Sequence, residues 1–164
     1  MPIGGKTTLT ENLRALQNAS DFDQVVSLGI VRDGNSSPAS AFQSVCSSLR
    51  TLNLPTPSVL GVSHGNNPRV AVLILPDGQT PGMLEDVCLN SISSEPIMEC
   101  IDGYFGCIES KGLSLPLNNS KAKVHVFLAA QRETGKRLGE AAEAGYWPFT
   151  HQSFTITKEF LQIL

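Results

Sequence analysis

Apolar residues follow two different periods along this chain. From Val70 to Leu75 they are unbroken, and the run is bounded by Pro68 on one side and by Pro76-Asp77-Gly78 on the other. A run of that length, closed by a turn signal, predicts a strand buried on both faces. Gln24 to Val31, QVVSLGIV, predicts a second buried strand that ends at Asp33. Elsewhere the apolar spacing is three and four, the period of a helix with one buried face. Leu9, Leu13 and Leu16 follow Thr8-Leu9-Thr10-Glu11, a capping box. Pro38 to Leu52 carries Ala41, Phe42, Val45, Cys46, Leu49 and Leu52 on one side. Thr80-Pro81 predicts the cap and start of a helix bearing Met83, Leu84, Val87 and Cys88.

Beyond Pro96 the pattern is helical throughout. Ile97, Ile101, Tyr104, Phe105 and Ile108 form one stripe. Asn118-Asn119-Ser120 caps a helix from Lys121 to Ala130 with Val124, Phe127 and Leu128 apolar, although Val124 to Phe127 is β-rich and leaves a strand open there. Arg137 to Ala144 is a short helix stopped by Gly145, and Phe154 to Leu164 is a closing helix. Tyr146-Trp147-Pro148-Phe149 reads as an aromatic turn lying over a core. Leu54 to Asn67 is rich in Pro, Gly, Ser and Asn and reads as a loop, with a short edge strand at Ser58 to Val62.

Two strands joined by a helix long enough to cross between them define an α/β protein. Its sheet is small and mostly parallel, flanked by helices, and its C-terminal half is mainly helical. At 164 residues the chain is read as a single domain, with an α/β core over 1–92 and a helical part over 93–164.

Composition narrows the function classes. The net charge of −3 offers no broad basic face, so a nucleic-acid contact needs a local patch or a partner. No run of about 18 apolar residues is present, and the N-terminus lacks a charged segment followed by an apolar one. A cytoplasmic protein without membrane contact is expected. Cys46, Cys88, Cys100 and Cys107 form no close pair, which argues against a zinc site and for reduced, buried thiols.

The candidate chemistry is acidic. If the two strands are parallel, Asp33 and Asn35 after the first, Asp77 after the second, and Glu85 and Asp86 in the first turn of the next helix gather on one sheet edge. That edge is where open α/β sheets bind ligands, and clustered oxygen ligands there suit a divalent cation. Simpler roles exist for the same residues. Asp77 before Gly78 is a common turn residue, and acids in a first helical turn favour the helix dipole. Gly4-Gly5-Lys6-Thr7 lacks the upstream glycine and strand of a phosphate loop, though Lys6 and its free N–H groups suit weak anion contact. No Gly-x-Ser-x-Gly elbow appears, and His64, His125 and His151 stand at no telling spacing from a nucleophile.

Several strings together resemble a bacterial family of unknown function with a Toprim-like fold. They are Gly4-Gly5-Lys6, Gly29-Ile30-Val31-Arg32-Asp33, Leu75-Pro76-Asp77, Pro81-Gly82-Met83-Leu84-Glu85-Asp86, Ser120 to His125 and Leu138 to Ala142. The resemblance spans nearly the whole chain, and GMLED preceded by LPD is its most specific part. It implies kinship with the Toprim domain of OLD-type nucleases, hence magnesium-dependent phosphoryl transfer on nucleic acid. Asp33 matches the first acid of the family's Asp-x-Asp, and Glu85 matches the later acid at a helix start. These two are the implied catalytic residues. Asp33, Asn35, Asp77, Glu85 and Asp86 are the implied Mg2+ ligands, and Lys6 the phosphate contact. Asn35 replaces the second acid, and the family's glutamate with its strand is expected upstream of Met1. Two functions therefore stand side by side. One is a metal-dependent nuclease. The other is a non-catalytic binding or regulatory subunit working with a separately encoded ATPase.

Overall fold

The computed structural model describes residues 8–164, so Lys6 and the Gly4-Gly5-Lys6-Thr7 string lie outside the described residues. The elements are α1 (Thr8–Gln17), β1 (Ser27–Asp33), α2 (Pro38–Thr51), β2 (Arg69–Leu75), α3 (Leu84–Ser91), α4 (Ile97–Ser110), α5 (Asn119–Ala129), α6 (Leu138–Glu143) and α7 (Thr155–Gln162). The fold is the expected α/β class, with a small parallel sheet and a helical C-terminal half. The chain forms two compact units, Met1–Met83 with Ile156–Leu164, and Leu84–Thr155.

In the first unit β1 and β2 pair in parallel, from Ser27 opposite Arg69 to Asp33 opposite Leu75. Every residue of β2 after Arg69 is buried, as its unbroken apolar run requires. The helix between the strands is α2. Ser37 caps it by accepting from the Ser40 N–H, and Pro38 supplies a first-turn φ at no hydrogen-bond cost. Ala41, Val45 and Leu49 of α2 meet Leu9 and Leu13 of α1 and Ile30, Val70, Val72 and Ile74 of the strands in one core. Burying a side chain such as Leu49, with no exposed surface, contributes about 1.5–3 kcal/mol.

Three expectations about this unit change. The first strand starts at Ser27 rather than Gln24, because Phe22–Gln24 closes a tight turn. It is not buried on both faces, since Gly29 and Val31 remain open to solvent. On that face the C-terminal segment comes nearest: a Cβ on Gly29 would lie 2.5 Å from Leu164 Cδ1 and 3.3 Å from Phe160 Cε1. The edge strand expected at Ser58–Val62 is absent. The loop instead touches β2 through a reciprocal His64–Val70 backbone pair at 2.8 Å and a Gly61 N–H to Val72 carbonyl bond. Those bonds satisfy part of β2's second edge with few ordered residues.

The second unit is helical, as the sequence predicts from Ile97 onward. Val124 to Phe127 belongs to α5 and not to a strand. Asn118 caps that helix through the Lys121 N–H at 2.9 Å, and Val124, Phe127 and Leu128 share its buried face. A cap plus a three-and-four spacing outweighs the β preference of two valines. The aromatic turn does cover a core. Trp147 is 2% exposed, its ring lies 4.9 Å from that of Phe127, and its Nε1–H donates to the Leu138 carbonyl at 3.2 Å. Among the described residues no helix is long and apolar enough to cross a membrane.

Candidate functional site

The carboxyl end of the β1–β2 pair is where the sequence places its acids. Asp33 ends β1 opposite Leu75, and Asp77 follows β2 by two residues, so both stand at the same end of the sheet. The ladder then continues past the strands. Gly34 N–H donates to the Leu75 carbonyl at 2.9 Å, and Asn35 exchanges two backbone bonds with Gly82, at 2.7 and 2.8 Å. Asn35 reaches this pairing with φ of 48°, a left-handed conformation that asparagine tolerates. Its side-chain Nδ2 donates back to the Asp33 carbonyl at 3.4 Å.

This bridge corrects the expected helix start. Thr80-Pro81 does not open α3, because Asp77 captures the backbone there first. Its Oδ1 accepts from the Gln79 and Thr80 N–H groups at 2.8 and 2.7 Å, and its Oδ2 accepts from the Thr80 hydroxyl at 2.8 Å. With Gly82 then tied to Asn35, the helix begins only at Leu84. Both Asp77 oxygens thus serve a local Asx-type turn. Desolvation raises the Asp77 pKa, but the Thr80 and Gln79 N–H groups and the Thr80 hydroxyl outweigh it, and the net shift is downward.

A folded pKa held below the ordinary 3.8 means that the charged Asp77 adds stability above that pH and loses it as pH falls through the folded value. Replacing Asp77 by Ala is expected to cost about 1 kcal/mol at neutral pH, as three accepted hydrogen bonds are lost from an exposed turn. Asp77→Asn keeps an acceptor and costs less. Urea titrations at neutral pH and below pH 3.8 check the sign: the gap between wild type and Asp77→Asn closes at the lower pH.

Glu85 and Asp86 occupy the first turn of α3 in the second unit. Asp86 Oδ1 accepts from the Ser120 hydroxyl at 2.5 Å, which ties the start of α3 to the start of α5. Glu85 acts on its own helix. Burial, and after it the charge of Glu85, push the Cys88 thiol up to about 12, so Cys88 is an inert core residue. Beside Asp86 lies a cavity of about 240 Å³, walled by Asn90, Ser93, Ser120, Lys123, Leu89 and Met98. Its Lys123 is held by Asp102 at 2.6 Å. Sequence reading missed this cavity because nothing in the spacing links α3, α4 and α5 before they pack. It is smaller than the roughly 300–1,000 Å³ usual for small-molecule sites.

A resident Mg2+ asks for several hard oxygen ligands in near-octahedral order. The donor set here does not match that demand. Asp77 gives both carboxylate oxygens to its own turn, Asp86 carries the Ser120 hydroxyl, and Asn35 brings no charge. Among the described residues no three His, Cys, Asp or Glu side chains gather as a group that could hold a metal ion. Of the histidines, His64 and His125 are exposed, whereas His151 Nδ1 accepts from the Ser153 N–H at 3.2 Å and lies 3.1 Å from the Ser153 hydroxyl. The cysteines differ from expectation. Cys46 and Cys88 are buried, whereas Cys100 and Cys107 are exposed, because they stand on the side of α4 that its neighbours leave uncovered.

Fold and site together define a small α/β protein whose acidic sheet edge is built mainly of turn-forming contacts. The chain belongs to the DUF3226 family of proteins of unknown function, which it matches over residues 2–164. No curated protein and no solved structure matches it.

Proposed function

We propose that this chain is a non-catalytic, Toprim-like module, a binding or regulatory subunit that works with a separately encoded ATPase. The observation that carries the reading is Asp77, whose two carboxylate oxygens hold the turn after β2. Those three hydrogen bonds fix the carboxylate's orientation and take most of its roughly four acceptor sites, which leaves little of it for a cation. Asn35 supports the same reading, since it supplies backbone pairing where an Asp-x-Asp motif supplies a second charge. The kinship with OLD-type nucleases rests on the sequence strings, with Asp33 and Glu85 as the matching acids. The alternative is a magnesium-dependent nuclease using those two residues.

Calorimetric titration of the whole chain with MgCl2 and MnCl2 separates the two. The expected result is no saturable heat up to about 10 mM metal, no cleavage of DNA or RNA above background, and no change in Asp33→Ala. Saturable binding near 1 mM or tighter that vanishes in Asp33→Ala, with metal-dependent cleavage, would overturn the proposal in favour of the enzyme.

A further inference from the structure

We infer that the outer edge of β1 docks an extended peptide segment of a partner protein, which adds to the sheet as a third strand. The phase of the β1–β2 ladder carries the argument. Arg69 N–H donates to the Val26 carbonyl and Gly34 N–H to the Leu75 carbonyl, each at 2.9 Å. With the strands paired in parallel and in this register, the even-numbered residues of β1 turn their N–H and C=O groups to β2. Ser27, Gly29 and Val31 turn theirs the other way, where no strand or loop of the described residues bonds them. The two edges of the sheet thus differ. On β2 the preceding loop closes the edge, through Val70 with His64 and the Val72 carbonyl with Gly61. On β1 nothing blunts it: the register is unbroken, and no proline or lysine stands between Ser27 and Asp33. The C-terminal segment does not close it either, because Leu164 and Phe160 lie where a Gly29 Cβ would point, over the face of the sheet.

The unpaired groups select their occupant. Donors and acceptors that recur at every second residue along a straight edge match the backbone of another strand. Side chains beside the edge say what that strand carries. Phe22 and Leu28 are half-buried against the core on one face, and Val31 keeps 51% of its surface in water on the other. Both flanks therefore gain from apolar, β-branched side chains in the incoming segment. Ser27 adds a polar demand: its Oγ is the buried side-chain oxygen that, among the described residues, has no hydrogen-bond partner. Charge at the edge comes from Asp21 and Asp23, exposed carboxylates just before β1 that no cation of the described residues pairs. The segment is thus extended, apolar through its middle and basic where it passes Asp21 and Asp23. This inference stands apart from the metal question, since it uses neither Asp33 nor Glu85.

Amide exchange read by NMR on the full chain tests this, with a capped synthetic peptide of about six alternating valine and threonine residues that carries a lysine at one end. In the chain alone the Gly29 and Val31 amides are expected to exchange fast, while those of Leu28 and Ile30, bonded to β2, stay protected. Peptide at about ten times its dissociation constant should slow Gly29 and Val31 about tenfold. Val31→Pro removes an outward N–H and no bond to β2, so it should keep the Leu28 and Ile30 protection and lose the peptide effect at Gly29. N-methylation at alternate residues of the peptide provides a second check: one set of nitrogens abolishes the effect and the other leaves it. A peptide with glutamate in place of the lysine should bind about tenfold more weakly. Gly29 and Val31 amides already protected in the dilute chain, no slowing at about 1 mM peptide, or slowing that survives both N-methylated sets would each overturn the inference. Slowing that rises with the concentration of the chain alone, with a doubled mass in sedimentation, would give the edge to a second copy and overturn the partner segment.

Discussion

Trp147→Ala is expected to destabilise the second unit by about 3–5 kcal/mol, the largest effect of any single substitution considered for it. Three losses combine. The indole, 2% exposed, leaves a cavity beside Phe127, whose ring it meets at 4.9 Å. The donor that satisfies the Leu138 carbonyl disappears, so the link between the aromatic turn and the first residue of α6 goes with it. Ala141, with no exposed surface, then loses the cover of the turn that follows α6. Amide hydrogen exchange along α5 and α6 measures the result. A loss of that size accelerates exchange through unfolding by about a hundred- to several-thousand-fold. Trp147→Phe keeps one ring but forfeits the Nε1–H bond and the volume of the second ring, so it should cost about 1–3 kcal/mol, less than Trp147→Ala. Equal effects from the two substitutions would show that the hydrogen bond, and not the ring, governs this core.

The elements that sequence reading located well are those in which periodicity and punctuation agree. The run from Val70 to Leu75 is bounded by prolines and becomes β2 within a residue, and Ser37-Pro38 opens α2 where a cap and a first-turn proline must. The errors fall where a side chain captures the backbone. Thr80-Pro81 has the composition of a helix start, yet Asp77 takes the N–H groups of Gln79 and Thr80, and Gly82 pairs with Asn35. No propensity reports that competition, because it depends on where Asn35 stands after a different strand. At Val124 to Phe127 the expected helix holds and the strand alternative falls away: β-branched residues are weak evidence once Asn118 has capped the chain into a helix.

The candidate site was legible in position and not in state. Strand ends at Asp33 and Leu75 predict correctly that Asp33 and Asp77 share a sheet end, because parallel pairing in register fixes it. Whether a carboxylate there is available is decided by angles and distances of a few residues. Asp77 proves to be a turn residue in the geometry its Gly78 neighbour allows, with φ of 80° at that glycine. Cys100 and Cys107 carry the converse lesson. Their spacing fits a buried stripe, but α4 has more apolar surface than its own unit covers.

Gly34 is the residue on which the geometry of the sheet end depends most, and Gly34→Ala is expected to cost about 1–3 kcal/mol. A Cβ there would lie 2.8 Å from the Leu75 carbonyl oxygen, 3.1 Å from Pro38 Cγ and 3.3 Å from Ile74 Cγ2. The nearest of these is backbone, and it is the same carbonyl that accepts the Gly34 N–H at 2.9 Å. Relief of the clash must therefore stretch the last rung between β1 and β2 or shift the start of α2. Either change also displaces Asn35 from Gly82. Gly29→Ala provides the contrast. Its closest contact, at 2.5 Å, is the tip of the Leu164 side chain, which can turn aside, and alanine is the better strand residue. Urea denaturation followed by circular dichroism should place Gly34→Ala well below wild type and Gly29→Ala near it. Hydrogen exchange should show the Gly34 and Gly82 amides losing protection together. Retained protection at Gly82 in Gly34→Ala would mean that the Asn35–Gly82 bridge holds without the last rung of the sheet. The turn of Asp77 would then stand on its own hydrogen bonds alone.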